Sequence, residues 1–423
     1  MSFAFFKPSM ELSALIGARG ATGLALLAVY VTVCRVLRFR RRNKKHAEYP
    51  YKTREDFSKM TATHAWEIYR YVASLEFPFL HEKALQFALF RTYGIPTIST
   101  LLSSTRQLAA PQLAPRRYED TALLIAEFLV HPPSHPRSNE AIARMNYLHS
   151  IYQRAGKISN DDMLYTMSLF VLEPTRWIAS YEWRSMTDME ICALATLWKT
   201  IGDAQGINFS ALQHGPNDFR DGLEFYEDLR TWADEYENRA MVPDKHNHLV
   251  AEETTALLVC NIPTFLRPVA RNFVVALMDE RLRKAMVYEP VLAIHHRLVD
   301  VMFAVRRFVS LYLFPPRPYF LRLKVVSESA DPKSGRYFKE YYEQEPWYVK
   351  PTFWNRYSVS SWVRWATGRP YPGCSDKFKP EGYQISKVGP QKFEDKGSEE
   401  CEVVKKKLME GRAGVECPFA VRR

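Results

Sequence analysis

An all-α fold is predicted for this chain: a multi-helix bundle with an N-terminal transmembrane helix and an irregular C-terminal extension. Apolar residues recur at steps of three and four through most of the middle of the sequence. Helix caps and stops punctuate that pattern, and convincing alternating strands are almost absent. A hydrophobic content of 47% with 13% aromatic residues is enough for a folded core, and 423 residues allow two or three domains or one large core with appendages. The boundaries fall at 1–19 for a short luminal N-terminus, 20–37 for the anchor and 38–60 for a basic juxtamembrane linker. Residues 61–315 form the helical domain, and 316–423 form a Pro- and aromatic-rich extension whose end is expected to be poorly ordered.

The anchor comes first. Gly20 to Cys34 is uncharged and mostly apolar, and Val36 and Leu37 extend the run once Arg35 snorkels. Seven of the eleven residues from Arg35 to Lys45 are Arg or Lys. Because this cluster follows the apolar run, a retained membrane anchor is favoured over a cleaved signal peptide. The positive-inside rule then places Arg38 onward in the cytosol. The same cluster supplies much of the net charge of +11 and points to a lipid bilayer. No nucleic-acid partner is expected, since zinc-finger spacing and basic–aromatic interleaving are both lacking. Six scattered cysteines without a CxxC pair argue against a disulfide scaffold and against structural zinc. Asn208-Phe209-Ser210 is a glycosylation sequon that a cytosolic domain would never present to the transferase.

The helices follow in order. A helical pattern begins near Ala65, and Glu82–Tyr93 is amphipathic and closed by Gly94-Ile95-Pro96. Arg106–Arg116 reads as a connection, and Tyr118–Val130 as a buried helix stopped by His131-Pro132-Pro133. Asn160, Asp161 and Asp162 start a helix through Leu172, and Thr187 with Glu190 opens another that runs to Gly206. Phe219–Ala240, Glu252–Val259, Pro268–Val287 and Pro290–Phe314 complete the set. The last is long and apolar, but its charges make it a core or interfacial helix, not a second span.

The segment Arg137–Gly156 organises the rest. Ser138 is the expected N-cap and Gly156 the expected stop. Ile142, Met145, His149 and Tyr152 share an apolar face, with Arg144 and Gln153 on the polar side. An imidazole on such a stripe either makes ordinary core hydrogen bonds or ligates a metal through one ring nitrogen. Arg117 and Thr121 lie four apart, so they share a face of the helix they open, 28 residues before His149. One imidazole, one arginine for an acidic group and one hydroxyl in an apolar cavity are the inventory a haem needs. His131 and His135 are separated by prolines that forbid a shared helix face, and His246, His248, His295 and His296 read as surface or packing residues. GxSxG, P-loop, GxGxxG and HExxH motifs are all missing, which removes support for hydrolase, nucleotide and zinc-protease functions.

Arg117-x3-Thr121 followed by His149, then Leu164-Tyr165 and Glu173-Pro174-Thr175-Arg176-Trp177, resembles the mpaB-type ER-bound oxygenase and rubber (latex-clearing) oxygenase catalytic domain family. The stretches 81–100, 143–169 and 187–206 are similar to its fungal, membrane-anchored branch. The resemblance covers roughly residues 60 to 290 and implies an all-helical, haem-binding bundle. It implies haem b with His149 as axial iron ligand, and Arg117 and Thr121 in the same haem-pocket motif. It also implies dioxygen as co-substrate and oxidative cleavage of a C=C bond in the isoprenoid side chain of a small apolar prenylated or terpenoid metabolite. Haem-dependent hydroxylation or dehydrogenation of such a substrate, and non-catalytic haem or lipid binding, are the competing readings. Rubber oxygenases carry a distal lysine just before the motif threonine, where this chain has Asp120. A carboxylate cannot imitate a neutral amine ligand, so no distal or catalytic residue is assigned.

Overall fold

The computed structural model describes residues 10–108, 110–216, 218–412 and 417–419, with side chains from residue 19 onward. Residues 1–9 of the expected luminal segment therefore lie outside the described residues. The helices are α1 (Met10–Ala47), α2 (Arg54–Phe57), α3 (Ala62–Tyr71), α4 (Pro78–Thr92), α5 (Pro96–Ser104), α6 (Ala114–Val130), α7 (Pro136–Arg154), α8 (Asn160–Tyr181) and α9 (Asp188–Ala204). They continue with α10 (Gly222–Ala240), α11 (Lys245–Leu258), α12 (Arg267–Ala276), α13 (Glu280–Ala285), α14 (Ala293–Phe308), α15 (Phe353–Arg356), α16 (Val359–Ala366) and α17 (Ser398–Arg412). Among the described residues there is no β-strand, only three isolated bridges within the C-terminal extension and its return: Val326 with Lys339, Tyr337 with Tyr383, and Lys339 with Val349. The all-α expectation holds.

Local chemistry explains the helix boundaries. Ser159 with Asp162 and Thr187 with Glu190 form reciprocal capping boxes that satisfy the first free N–H groups of α8 and α9. These two helices are the centre of the core. Leu164, Tyr165, Val171 and Ile178 of α8 and Cys192, Ala193, Trp198 and Ile201 of α9 are buried. Around them α8 packs on α4 and α10, α9 packs on α3 and α10, and α6 pairs with α7.

Several boundaries differ from the sequence reading. Helix α7 begins at Pro136, not after Ser138: proline at the first helical position loses no bond there, and the His135 ring caps the helix by accepting from the Arg137 N–H (3.1 Å). Ser138 is instead buried in the first turn. At the other end Gly156 adopts φ +66°, and the Lys157 N–H reaches back to the Tyr152 carbonyl (2.9 Å), which closes the helix. Helix α8 runs past Leu172 and through Pro174 to Tyr181. The proline costs one backbone bond, but the Glu173 carboxylate accepts from Trp177 Nε1 (2.9 Å) and Arg176 (2.5 Å), and the Thr175 hydroxyl takes the Val171 carbonyl (2.9 Å). The single helix expected over 268–287 is two, because Asp279 caps a new start at the Leu282 N–H (2.9 Å).

The basic linker is also not a linker. Helix α1 continues unbroken to Ala47, and its cationic end is bolted to the domain. Arg41 pairs with buried Glu76 (2.5 Å), Arg38 donates to the Phe314 carbonyl (3.0 Å), and Arg41 also donates to the Arg317 carbonyl (2.7 Å). Arg144, placed by helical periodicity on the polar side of α7, is fully buried. The returning C-terminal chain covers it and supplies three carbonyl acceptors, Val388, Phe393 and Lys396, at 2.7–2.8 Å. The expected poor order of the chain end does not hold for Ser398–Arg412, which is a helix packed on α7 with Cys401 and Arg412 buried.

Helices α6 and α7 are locked at their connecting loop by a buried bidentate pair, Arg137 with Glu127 (2.6 and 2.9 Å), to which Tyr383 adds its hydroxyl. Removing one member of such a pair strands a buried charge. Arg137→Met is expected to lower unfolding free energy by about 3–5 kcal/mol in urea titrations. Adding Glu127→Gln should recover a large part of that loss.

Candidate functional site

Helix α6 turns Arg117, Thr121, Leu124, Ile125 and Phe128 to one side, and α7 turns Met145, His149 and Tyr152 toward them. The three residues singled out from the sequence, Arg117, Thr121 and His149, therefore line one cavity of about 220 Å³. Most of its other walls are apolar, with Leu89 and Ile98 from α4 and α5, Met167 and Phe170 from α8, and Trp198 from α9, while Lys157, Asp162 and Gln205 add polar groups. Trp198 stacks on Phe170 (4.7 Å between ring centres), and its indole N–H has no partner.

Within the cavity Thr121 donates its hydroxyl to the Arg117 carbonyl (2.8 Å) and accepts from the Arg117 guanidinium. His149 Nδ1 is buried and has no hydrogen-bond partner. Burial, and secondarily the nearby Arg117 charge, push its pKa down to about 4. The ring is therefore neutral at physiological pH, and the residue lines the cavity. A neutral imidazole with an unused nitrogen is the form that binds a metal ion. Arg117 also lines a surface recess with Gln107, Arg116, Gln391 and Lys392, so it stands at the rim between the cavity and solvent.

Asp120 takes no part in the cavity wall. It is fully buried on another side of α6, accepts from the Tyr348 hydroxyl (2.7 Å), and has its pKa pushed up to about 6 by burial. The other quoted motif residues build the frame. Tyr165 donates to Glu237 (2.8 Å), Arg91 grips Glu237 with two bonds of 2.7 Å, and Glu173 holds Trp177 and Arg176. His131 and His135 do meet, as stacked rings 4.6 Å apart, but no group of His, Cys, Asp or Glu arranged to hold a metal ion exists among the described residues. His246 and His248 bond Ser103 (2.8 Å) and the Met286 carbonyl (2.9 Å), as packing residues do.

The sequence reading missed a second chamber. It measures about 160 Å³, shares the walls Leu89, Ile125 and Phe170 with the first, and is lined by Tyr69, His81, Tyr118, Glu119 and Lys339. His81 is buried, its Nε2 has no partner, and burial alone lowers its pKa to about 4. Glu119 is paired with Lys339, whereas the carboxyl of Glu82 is raised to about 8 by burial and by Glu343. His81, Ala84 and Ala88 lie on one buried stripe of α4, the same sign that exposed His149. The polar partners come from α6 and the distant extension, which no local pattern connects.

Both unpartnered histidines make stability depend on pH. Between pH 6.5 and 4 the unfolded chain takes up protons that the folded chain refuses, so stability falls as pH drops through that window. Each ring contributes up to about 3 kcal/mol of this loss. Unfolding midpoints of the metal-free protein measured across that range should decline less steeply for His149→Leu than for the parent.

No family profile matches the chain. Among characterised proteins it is 41% identical over 397 residues to the ER-bound oxygenase mpaB′ of Penicillium brevicompactum, covering 94% of this chain and 93% of that protein. It is 37% identical over 360 residues to the ER-bound oxygenase mpaB of the same organism, covering 85% of each. To the ER-bound oxygenase mpaB of Penicillium roqueforti it is 46% identical over 265 residues, which is 63% of this chain and 89% of that one. With an all-helical bundle, an apolar N-terminal helix and relatives of this identity along nearly its whole length, the chain belongs to the mpaB-type family of ER-bound oxygenases.

Proposed function

We propose that this oxygenase uses haem b, which His149 would hold through its iron, and that it cleaves a C=C bond in the isoprenoid chain of a small apolar prenylated or terpenoid metabolite. The observation that carries the reading is the His149 ring, neutral and without a hydrogen bond at Nδ1, facing an oily cavity. The residues present suit the group. Apolar side chains from α4, α5, α8 and α9 would cover the macrocycle, and Arg117 at the rim would hold a propionate as a charge-assisted donor. Thr121 fixes the guanidinium that does so.

Haem iron, when bound, supplies the redox chemistry with dioxygen. The chain itself supplies a dry, apolar volume that orients an alkene and keeps water away from it. One C=C bond and one dioxygen become two carbonyl groups, so atoms and electrons balance without an outside reductant. No net proton moves, which agrees with a cavity wall that presents no carboxylate other than the α8 capping residue Asp162. The helix Arg19–Ala47 is long and apolar enough to cross a membrane. It would hold the enzyme at the endoplasmic reticulum, crossing once, with the basic end and the folded domain in the cytosol.

Purified full-length protein supplied with hemin should show a haem absorption band. His149→Ala should abolish it while leaving the helical circular dichroism intact, and full haem loading in that variant would remove the assignment. Arg117→Ala should weaken haem retention about tenfold, the worth of one charged hydrogen bond. Product masses from prenylated aromatic substrates should show a shortened chain; an added oxygen on an intact chain would mean hydroxylation. Asn208 is exposed, yet in microsomes it should carry no glycan, and a glycan there would reverse the orientation.

A further inference from the structure

We propose that the folded domain carries its own bilayer-embedded face, separate from the anchor, built along α12, α14 and α15–α16. Helix α14 buries Val299 and Phe303 against the protein. On its outward side Ile294, Leu298, Val301, Val305 and Phe308 recur at steps of four and three, and all are exposed. His296, Asp300 and Arg307 occupy one flank between these two apolar faces, and exposed Arg297 sits at the edge of the outward one. A helix apolar on both sides is not built to meet water.

The strip continues beyond α14. Helix α12 packs against it and leads from exposed Phe265 and Leu266. Downstream, Tyr319, Phe320 (76% exposed) and Leu321 protrude, as do Trp354 (81% exposed), Trp362 and Trp365. The aromatic end is tied to the α12 end: Arg369 donates to the Asn261 carbonyl, and the Asn261 amide donates to the Glu343 carbonyl, both at 2.6 Å. Contiguous apolar surface of this kind marks an interaction site.

The anchor identifies the occupant as lipid. Tyr30 lies in the apolar part of α1, and its hydroxyl donates to the Leu313 carbonyl (2.9 Å) just beyond α14. Seven residues of helix separate Tyr30 from Leu37, the last apolar residue of the run, which puts that contact roughly 10 Å inside the slab. Whenever α1 is inserted, the end of α14 is drawn to the same depth, as in an interfacial amphipathic helix. The composition agrees: tryptophan and tyrosine sit at headgroup level, and exposed Arg297, Arg307 and Arg356 flank the strip where anionic headgroups would lie. One consequence rests on the proposed substrate class. Arg322–Lys324, which border the His81 chamber, directly follow Tyr319–Leu321, so the strip would deliver an apolar chain dissolved in the leaflet to the wall of that chamber.

The test uses the full chain in phosphatidylcholine vesicles whose acyl chains carry bromine near the headgroup. Helix α1 contains no tryptophan, and of the nine in the chain only Trp354, Trp362 and Trp365 are exposed. Bromine should quench about a third of the tryptophan emission, and the Trp354→Phe/Trp362→Phe/Trp365→Phe variant should lose that quenchable fraction. These substitutions on an exposed surface leave the core untouched, which circular dichroism checks. Absence of quenching in the parent, or an unchanged quenched fraction in the variant, would overturn the proposal. Absence of quenching together with dimer-sized particles in detergent would assign the strip to a second copy of the chain and overturn it equally. The readout needs neither haem nor substrate, so its failure is separable from failure of the proposed reaction.

Discussion

The buried pair of Arg137 and Glu127 is the constraint on which the site depends. Two antiparallel helices can slide past one another by a turn at modest cost if only apolar side chains meet between them. A bidentate ion pair with no water cannot slide, because every displaced position leaves two charges uncompensated. The guanidinium is further held by the Ser327 carbonyl (2.7 Å) and lies 3.8 Å over the Tyr337 ring. Pinned at the loop, α6 and α7 run back roughly 15 Å with their relative register set. Arg117 and Thr121 then arrive level with His149.

The same device recurs at the outer surface of these helices. Arg144 ends on three carbonyls of the returning chain, Lys339 meets Glu119, and Arg412 of α17 meets Asn139 of α7 (2.8 Å). An irregular segment has main-chain carbonyls that no helix or sheet uses. Long cationic side chains projecting from regular helices satisfy them. The extension is thus fastened by directional bonds as much as by apolar burial, which explains how a stretch with weak periodicity still covers the α6–α7 pair.

That arrangement also explains which features could be read in advance. His149 was legible because three- and four-residue steps report which side of a helix is oily, and the capping box at Thr187 was legible because its chemistry is complete within four residues. Arg144 was misplaced for the converse reason: periodicity says that a side is polar, not that another segment will close over it. The end expected at Leu172 fell short of the real one because α8 runs on through Pro174, where Glu173 holds Arg176 and Trp177 across the break. His81 escaped notice because its chamber joins residues from α4, α6 and the extension, more than two hundred positions apart.

The unbroken run of α1 into the domain has a mechanical consequence. A flexible leash would let the folded body tumble, and each face would visit the membrane in turn. A rigid mast, clamped at Arg38, Arg41 and Tyr30, leaves only rotation about its own axis and drift in the plane. For the apolar metabolite proposed as substrate, encounter then becomes a search over an area instead of a volume, with the same side of the molecule always turned toward it.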